Sequence, residues 1–394
     1  MFKPDCRVFE ERREIFFKKL NGKAAIIPSS SLVRHHADCE YPFRQDSNFW
    51  YLTGFDEPDS IALFLSHKPK GERFILFVAP KDILSEVWHG FRWGIEGAER
   101  EFKADKAHSI NEFKDLLPVY IGESEEIVYS IGKHTKIEKI VLEIFSQQQE
   151  ARSRVGIGAN SIKSPEIYLN EMRLIKSDFE INRMREATQI SAEAHELVRE
   201  SISSKKNERQ IQGLIEGFFL EKGARGPAYN SIVASGDNAC ILHYTLNNSE
   251  LNNGDLLLVD AGCSLIDYYN GDITRTFPIG GKFSKEQKLI YEIVLEAQKN
   301  AIKNSVKGSN STNVHNVALR ILVEGLKEIG LLRGDTDGII ENGSYKHLYM
   351  HRTGHWLGLD VHDVGAYRMG EYDVPLQNGM ILTVEPGIYI SDRI

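Results

Sequence analysis

The chain has 394 residues, of which 41% are hydrophobic and 26% are charged, and its formal net charge is −8. This composition is ordinary for a globular enzyme and excludes a disordered or collagen-like chain. A mildly acidic chain with no long basic run is also a poor match for sequence-independent nucleic-acid binding, which needs clustered positive charge. The length favours two domains over one.

The four cysteines are too few and too scattered for a disulfide framework, and no CxxC pair indicates zinc. The N-terminal stretch carries charges throughout and lacks the apolar core of a secretory signal. No apolar run reaches the roughly 18 residues that a membrane span requires. We therefore expect a cytoplasmic protein with no membrane or nucleic-acid partner.

In the first part of the chain, short apolar runs alternate with helical patterns. The runs at 24–27, 61–65 and 74–78 are predicted to be buried strands, because each is continuously apolar and is bounded by polar residues or proline. This alternation predicts an α/β domain.

A helix is predicted to begin after Ser177, because Ser177 and Glu180 have the spacing of a capping box. Small and apolar residues then recur at helical spacing: Ile181, Met184, Ala187, Ser191, Ala194 and Val198. Further helix starts are predicted at Asn207 with Gln210, at Ser284 with Gln287, and at Thr312 or Asn313 in a helix that ends near Gly330. Strands predicted at 256–259 and 381–384 complete a second α/β domain, and we place the boundary near residue 170.

Four segments of this second domain carry acidic or imidazole side chains in apolar surroundings. Asp260 ends a predicted strand, Asp272 follows twelve residues later, Glu385 lies inside an apolar run, and residues 351–363 contain three histidines. A carboxylate placed at the end of an apolar strand is costly unless a cation or hydrogen-bond donors meet it. Two strands with a short connection could bring Asp260 and Asp272 face to face.

A divalent cation is the simplest way to hold several carboxylates in one pocket. Mainly carboxylate oxygens with one imidazole suit Mn²⁺ or Co²⁺ better than structural zinc. A pair of such ions makes hydroxide available at neutral pH, which is the chemistry of amide or ester hydrolysis. Asp267, Asp363 and His315 are interpreted as structural residues, since a lone buried Asp or His is more often a cap or a core residue.

The segments VDAG, GDITRTFP, HRTGHWLGLDVHD and TVEPGIY, in this order, resemble the pita-bread metallopeptidases of family M24. Residues 44–55 resemble the N-terminal domain of the Xaa-Pro aminopeptidases within that family, so the resemblance spans nearly the whole chain. It implies an α/β (α+β) fold, with a creatinase-like α/β domain at 1–170 and a pita-bread catalytic domain at 171–394. The implied activity removes the first residue from peptides that have proline in second position, by attack of a metal-bridging hydroxide.

The same resemblance implies a set of metal ligands: Asp260, Asp272, His355 and Glu385. They would hold two divalent ions, usually manganese, with Asp272 bridging them.

Other residues are implied to act on the substrate. His243 and His362 would be catalytic, contacting the substrate and stabilising the tetrahedral intermediate, while His351 lies beside the site and Tyr229 lines it. Trp88 matches a tryptophan that related enzymes lend to a neighbouring subunit, which implies a homo-oligomer, a tetramer or a dimer. A plain hydrophobic contact is an equally weighted interpretation of Trp88.

One departure from the family pattern concerns the end of the sequence. The family's second bridging glutamate lies in a later stretch, whereas this sequence ends at Ile394, nine residues after Glu385. We therefore expect that the last strands of the pita-bread domain are missing.

Three alternatives remain open. A prolidase shares the metal set but cleaves Xaa-Pro dipeptides, and residues 44–55 favour the aminopeptidase only moderately. A pita-bread protein without catalysis could serve as a peptide-binding module, which the absent second glutamate would favour. A creatinase-like hydrolase uses the fold without metal, and it would lack the full acidic set.

Overall fold

The computed structural model describes residues 5–391 and all of their side chains except that of Ser204. The chain divides into two units between Asn170 and Glu171. The division falls within one helix, α7 (Glu166–Leu174).

A mixed sheet forms the centre of the first unit. Its strands are β1 (Ala24–Pro28), β4 (Ile61–Leu65), β5 (Phe74–Val78), β6 (Lys106–Ser109), β7 (Glu126–Val128) and β8 (Ser161–Lys163). The spatial order is β6-β5-β4-β1-β7-β8, with β4 antiparallel to both β1 and β5 and the remaining pairs parallel. The three predicted strands are confirmed as β1, β4 and β5, and all of their residues are buried.

Helices surround this sheet in the first unit. They are α1 (Cys6–Leu20), α2 (Ser47–Thr53), α3 (Ile83–His89), α4 (Gly94–Phe102), α5 (Phe113–Ile121) and α6 (Thr135–Val155). A short exposed hairpin, β2 (Arg34–His36) with β3 (Cys39–Glu40), stands outside the sheet. The core consists of apolar side chains of β1, β4 and β5 packed against α5 and α6.

The second unit combines longer helices with short strands. The helices are α8 (Asp178–Ser201), α9 (Glu208–Glu221), α10 (Lys285–Asn304), α11 (Ser311–Glu328) and α12 (Thr336–Asn342). The strands are β9 (Gly226–Pro227), β10 (Ile232–Ser235), β11 (Leu256–Asp260), β12 (Cys263–Ser264), β13 (Thr274–Pro278), β14 (Arg368–Met369) and β15 (Tyr372–Asp373). The strands β10, β11 and β13 form an antiparallel sheet with β11 in the middle.

The predicted helix starts are largely confirmed. Ser177 and Ser284 each form a complete capping box with the residue three positions later. Asn207 caps α9, but the side chain of Gln210 accepts from the Lys206 N–H instead of returning to Asn207. The cap of α11 is Asn310, two to three residues before the predicted start, because the Asn310 side chain accepts from the N–H of Asn313.

The predicted strand at 381–384 is wrong. The structure has no strand at 381–384 beyond an isolated bridge between Leu382 and Trp356. The backbone N–H groups of Leu357, Thr383 and Glu385 nevertheless donate to the carbonyl oxygens of Ile381, His355 and Thr353, respectively. The N–H of His355 donates to the side chain of Thr383 and not to its carbonyl oxygen, so the ladder between the two segments is incomplete. Apolar side chains of 380–388 pack on the core formed by α10 and α11, which explains the apolar run.

Within residues 5–391, none of the helices has the length and apolar character of a membrane span.

Candidate metal centre

The sheet of the second unit brings two carboxylates to one end. Asp260 is the last residue of β11, opposite Thr274 at the start of β13, and Asp272 precedes Thr274 by two residues. The backbones approach closely here, since a Cβ added to Gly262 would lie only 1.9 Å from the carbonyl oxygen of Gly271. Only a residue without a side chain fits at Gly262, and the close approach places Asp260 and Asp272 beside each other.

The hydroxyl of Tyr229 links these two carboxylates. It lies 2.5 Å from Oδ1 of Asp260 and 2.9 Å from Oδ1 of Asp272, so it can donate to either oxygen. Burial and the two carboxylates raise the pKa of Tyr229 well above its usual value, because a phenolate would be desolvated and repelled. Tyr229 therefore serves as a hydrogen-bond donor to the carboxylate pair.

A histidine and a third carboxylate complete the cluster. Nε2 of His355 lies 3.2 Å from Asp272 Oδ2 and 3.1 Å from Glu385 Oε1. Asp272, His355 and Glu385 each offer one ligand atom, and these atoms lie within 4.8 Å of one another. Nδ1 of His355 lies 3.0 Å from the carbonyl oxygen of Trp356, an arrangement that leaves Nε2 facing the carboxylates.

The hydroxyl of Thr383 orients two members of the cluster. It donates to Oε1 of Glu385 at 2.6 Å and accepts from the backbone N–H of His355 at 3.0 Å. The two backbone segments that carry these residues are in close contact. A Cβ added to Gly354 would lie 1.9 Å from the Thr383 carbonyl oxygen. Sequence reasoning did not identify Thr383, although a hydroxyl two residues before a proposed ligand is a signal for this role.

The charges of the cluster suit a cation. Burial raises the pKa of Asp260 to about 7, and the nearby Asp272 and Glu385 carboxylates add to the increase. Burial acts to lower the pKa of His355, but its contacts with Asp272 and Glu385 outweigh burial and raise that pKa to about 10. Three carboxylates thus share positive charge from one imidazole, and a divalent ion in the same place would satisfy them while using His355 as a neutral ligand. The residues fit a metal on their donor chemistry.

The predicted histidines outside the cluster have different neighbours. The rings of His362 and His355 meet edge to face, with centroids 4.4 Å apart. Nε2 of His351 is 2.9 Å from the hydroxyl of Tyr389, a residue that sequence reasoning did not assign. His243 is exposed on the segment after β10, and its imidazole has no hydrogen bond to any described residue.

Trp88 belongs to the other unit. It lies on α3 with 83% of its surface exposed.

The three residues interpreted as structural each form an ion pair or a hydrogen bond with another protein side chain. Asp267 forms two hydrogen bonds with Arg183, and the buried His315 lies 2.9 Å from the Thr353 hydroxyl. Asp363 is buried between Arg173 and Lys176, at 2.6 and 2.9 Å.

These cations lie about 190 positions away from Asp363 in the sequence, so no local pattern could have revealed the pairing. The pairing holds the end of the segment that carries His355 and His362.

Comparison with known families places the chain in a class. The model of metallopeptidase family M24 matches residues 182–394, and that of the aminopeptidase P N-terminal domain matches residues 9–129. The chain therefore belongs to metallopeptidase family M24. The two-domain α/β architecture expected from the sequence is thereby confirmed.

The individual proteins that are similar to this chain include aminopeptidases of three bacteria. The Xaa-Pro aminopeptidase of Haemophilus influenzae is 44% identical over 98% of this chain and 86% of its own length. Aminopeptidase PepP of Pseudomonas aeruginosa has a similar structure, with a TM-score of 0.93 and 38% identity over 99% of this chain and 88% of that one. Zinc-substituted Escherichia coli aminopeptidase P, in complex with product, gives a TM-score of 0.94 and 37% identity over the same shares.

Proposed function

We propose that this chain is a metal-dependent aminopeptidase that removes the first residue from peptides with proline in second position. The observation that carries the proposal is the cluster of Asp272, His355 and Glu385 ligand atoms within 4.8 Å, with Asp260 joined to it through Tyr229. It occurs in a chain that is similar to Xaa-Pro aminopeptidases over nearly its whole length.

In this proposal Asp260, Asp272, His355 and Glu385 would hold two divalent ions. We propose Mn²⁺ for these ions, because three carboxylates with one imidazole suit Mn²⁺ or Co²⁺ better than structural zinc. When bound, the ions supply a water of lowered pKa and polarise the carbonyl of the substrate. Thr383 and Tyr229 hold the carboxylates in place by hydrogen bonds, so that the ligands are oriented before the metal arrives.

The histidines around the cluster handle protons and negative charge. His362, against the ring of His355, is placed to stabilise the developing oxyanion at the scissile carbonyl. His243 and His362 would relay a proton from water to the proline nitrogen as it leaves, because an imidazole can accept a proton at one ring nitrogen and donate one from the other. His351, fixed by Tyr389, and Tyr229 line the substrate site.

The bond before proline requires this kind of site. Proline has no N–H, so a peptidase that grips its substrate through that group loses a hydrogen bond. A site built on carboxylates, histidines and metal acts on the carbonyl and does not need the missing donor.

The proposal extends to assembly and location. We propose a homo-oligomer, a dimer or a tetramer, in which α3 and Trp88 meet a second copy. Four large apolar side chains of α3 support this interface, since each is at least 75% exposed: Ile83, Leu84, Val87 and Trp88. The thiol of Cys39 is exposed and free, which suits a reducing compartment, and we place the protein in the cytoplasm.

The test is hydrolysis of Ala-Pro-Ala. With Mn²⁺ we expect release of alanine, its loss with a chelator and its return when Mn²⁺ is added again. Asp272→Asn should abolish turnover and weaken Mn²⁺ binding, whereas Asp337→Asn, in an exposed ion pair with Arg320, should do neither.

Two further substrates separate the alternatives. Ala-Ala-Ala should be cleaved far more slowly, and preferential cleavage of the dipeptide Ala-Pro would indicate a prolidase instead. Tight binding of Ala-Pro-Ala without cleavage, at saturating Mn²⁺, would refute the proposed peptidase activity and indicate a peptide-binding module.

A further inference from the structure

The segment that carries His243 lacks regular secondary structure. Residues 241–249 follow a short 3-10 helix, Gly236–Cys240, and precede β11 without belonging to a helix or strand. Its exposed residues alternate with buried Tyr244 and Asn247. Because no ladder of backbone hydrogen bonds fixes this segment, side-chain anchors must determine where His243 lies.

One buried carboxylate provides most of these anchors. Glu208 is the first residue of α9 and its surface is fully buried. Its Oε1 accepts from the N–H of Ser235 at 2.7 Å, from the Ser235 hydroxyl at 2.8 Å and from Asn238 Nδ2 at 3.2 Å. Its Oε2 accepts from the Tyr244 hydroxyl at 2.8 Å and from the N–H of Ser249 at 2.9 Å.

These five hydrogen bonds join both ends of the His243 segment to one point. Ser235 and Asn238 lie before it, Ser249 lies at its end, and Tyr244 is the immediate neighbour of His243. All five donors are neutral, so the negative charge of Glu208 is held by hydrogen bonds and by its place in the first turn of α9. Although burial acts to raise the pKa of Glu208, these hydrogen bonds outweigh it and lower that pKa.

Asn247 anchors the other side of the segment. Its side chain bonds to the N–H of Val233 and the carbonyl oxygen of Ser231, beside β10. Asn247 therefore ties the segment to the sheet, while Glu208 sets the position of Tyr244 and, through the backbone, of His243.

We propose that Glu208 is a positioning residue for His243: its carboxylate fixes the 235–249 segment so that the exposed imidazole of His243 is held toward the substrate. This inference rests on the proposed function, because it is there that His243 acts on the substrate. Glu208 forms its hydrogen bonds with Ser235, Asn238, Tyr244 and Ser249, and none of these four is a proposed metal ligand.

The test substitutes Glu208→Gln, which keeps the shape of the side chain. An amide can accept on one side only, so its NH₂ group must face donors such as the Ser249 N–H and lose that half of the network. The matched control is Glu221→Gln, the same change at the last residue of the same helix, where the carboxylate is exposed.

Two readouts are measured. In amide hydrogen exchange, Glu208→Gln should speed exchange in 241–249 and leave the metal-ligand segments unchanged, whereas Glu221→Gln should alter exchange in neither. With Ala-Pro-Ala and Mn²⁺, kcat should fall roughly tenfold to a hundredfold, as expected when a catalytic group is misplaced by about 1 Å. Mn²⁺ affinity should not change, because the four proposed ligands lie outside the segment.

A double-mutant cycle decides whether Glu208 acts through His243. In a His243→Ala background, Glu208→Gln should cost less than about twofold in kcat, since the group it positions is gone. An equal loss in both backgrounds, or unchanged exchange in 241–249, would overturn the positioning role.

A fold-preserving second variant covers the case in which Glu208→Gln does not fold. Tyr244→Phe removes only the hydroxyl next to His243 and should show the same two effects at smaller size; no effect in either readout contradicts the inference. If the unsubstituted chain with Mn²⁺ fails to cleave Ala-Pro-Ala, the proposed function fails, and the exchange data still show separately whether Glu208 anchors the segment.

Discussion

Single hydroxyl groups organise the candidate metal centre. Thr383 Oγ1 contacts both the Glu385 carboxylate and the backbone of His355, and Tyr229 does the same for Asp260 and Asp272. Each hydroxyl therefore restrains two of the four proposed ligands. Loss of such an outer hydrogen bond typically lowers metal affinity by roughly tenfold to a hundredfold.

Thr383→Val should weaken Mn²⁺ binding by roughly tenfold to a hundredfold, because Glu385 loses its donor and is free to turn away. Isothermal titration calorimetry measures the change. The control is Thr312→Val, which removes a hydroxyl bonded to Asp373 at 3.0 Å away from the cluster. Equal affinities for the two variants would contradict the role of Thr383.

A buried histidine makes stability depend on pH. Burial lowers the pKa of His315 to about 4, so the folded protein keeps it neutral while the unfolded chain binds a proton near the ordinary value of 6.5. As pH falls below 6.5, the unfolded state gains protons that the folded state does not, and the free energy of unfolding decreases.

Between pH 7 and pH 5 this single group should remove about 2 kcal/mol of stability. Urea denaturation at both pH values measures it. His315→Asn should reduce the pH dependence by that amount, whereas His347→Asn, at an exposed position, should not. The same slope in both variants would show that other groups are responsible.

At the scale of elements, ion pairs and side-chain hydrogen bonds fix a functional segment that belongs to no helix or strand. Residues 355–363 lack regular structure, yet their far end is fixed because Asp363 lies between Arg173 and Lys176. Asn270 adds hydrogen bonds to the carbonyl oxygens of residues 358 and 359. His362 thus lies on a segment that is rigid without being a helix or a strand.

Asp363→Asn should lower the free energy of unfolding by roughly 3–5 kcal/mol, because the buried Lys176 loses its carboxylate and the buried Arg173 loses one of two. Asp360 contacts the same Arg173 guanidinium, but its side chain is 40% exposed. Asp360→Asn should therefore cost less than about 1 kcal/mol. Denaturant titration of both variants checks the contrast, and similar losses would refute it.

Local signals account for the elements that were predicted well. The strands β4 and β5 match the predicted ranges because a continuous apolar run is bounded by polar residues, and Ser177 marks a helix start through contacts within four residues. The segment at 381–384 has the same apolar signal, but its backbone hydrogen bonds with 353–357 form only an incomplete ladder, so its interpretation as a strand was wrong. Pairing depends on tertiary neighbours that composition does not reveal.

In the candidate site, too, local sequence signals could be interpreted and contacts between distant segments could not. Its acidic and imidazole residues could be selected from the sequence, because their burial requires a cation or donors. Contacts between distant segments could not, as Glu208 with Ser249 and Asp363 with Lys176 show. The roles that sequence reasoning missed are therefore mostly those of residues that hold other residues in place.

At the scale of the whole molecule, the two units carry different features. The candidate ligands all belong to the second unit, whereas the first unit carries the exposed apolar side chains of α3. A contiguous apolar surface of this kind is unfavourable in water unless another surface covers it. The proposed oligomer gives these side chains a partner, a second copy of the chain.

Val87→Asp should dissociate the oligomer, because a charge buried in an apolar interface is costly without a partner. The matched control is Val119→Asp, at a valine on α5 that is 72% exposed against 75% for Val87. Sedimentation equilibrium should find the unsubstituted chain and Val119→Asp assembled and Val87→Asp shifted toward the monomer. A monomeric unsubstituted chain, or equal assembly of both variants, would refute an interface at α3. Trp88 lies beside Val87 on α3. If Val87→Asp loses both assembly and peptidase activity, the result would further link this helix to the active site of a second copy.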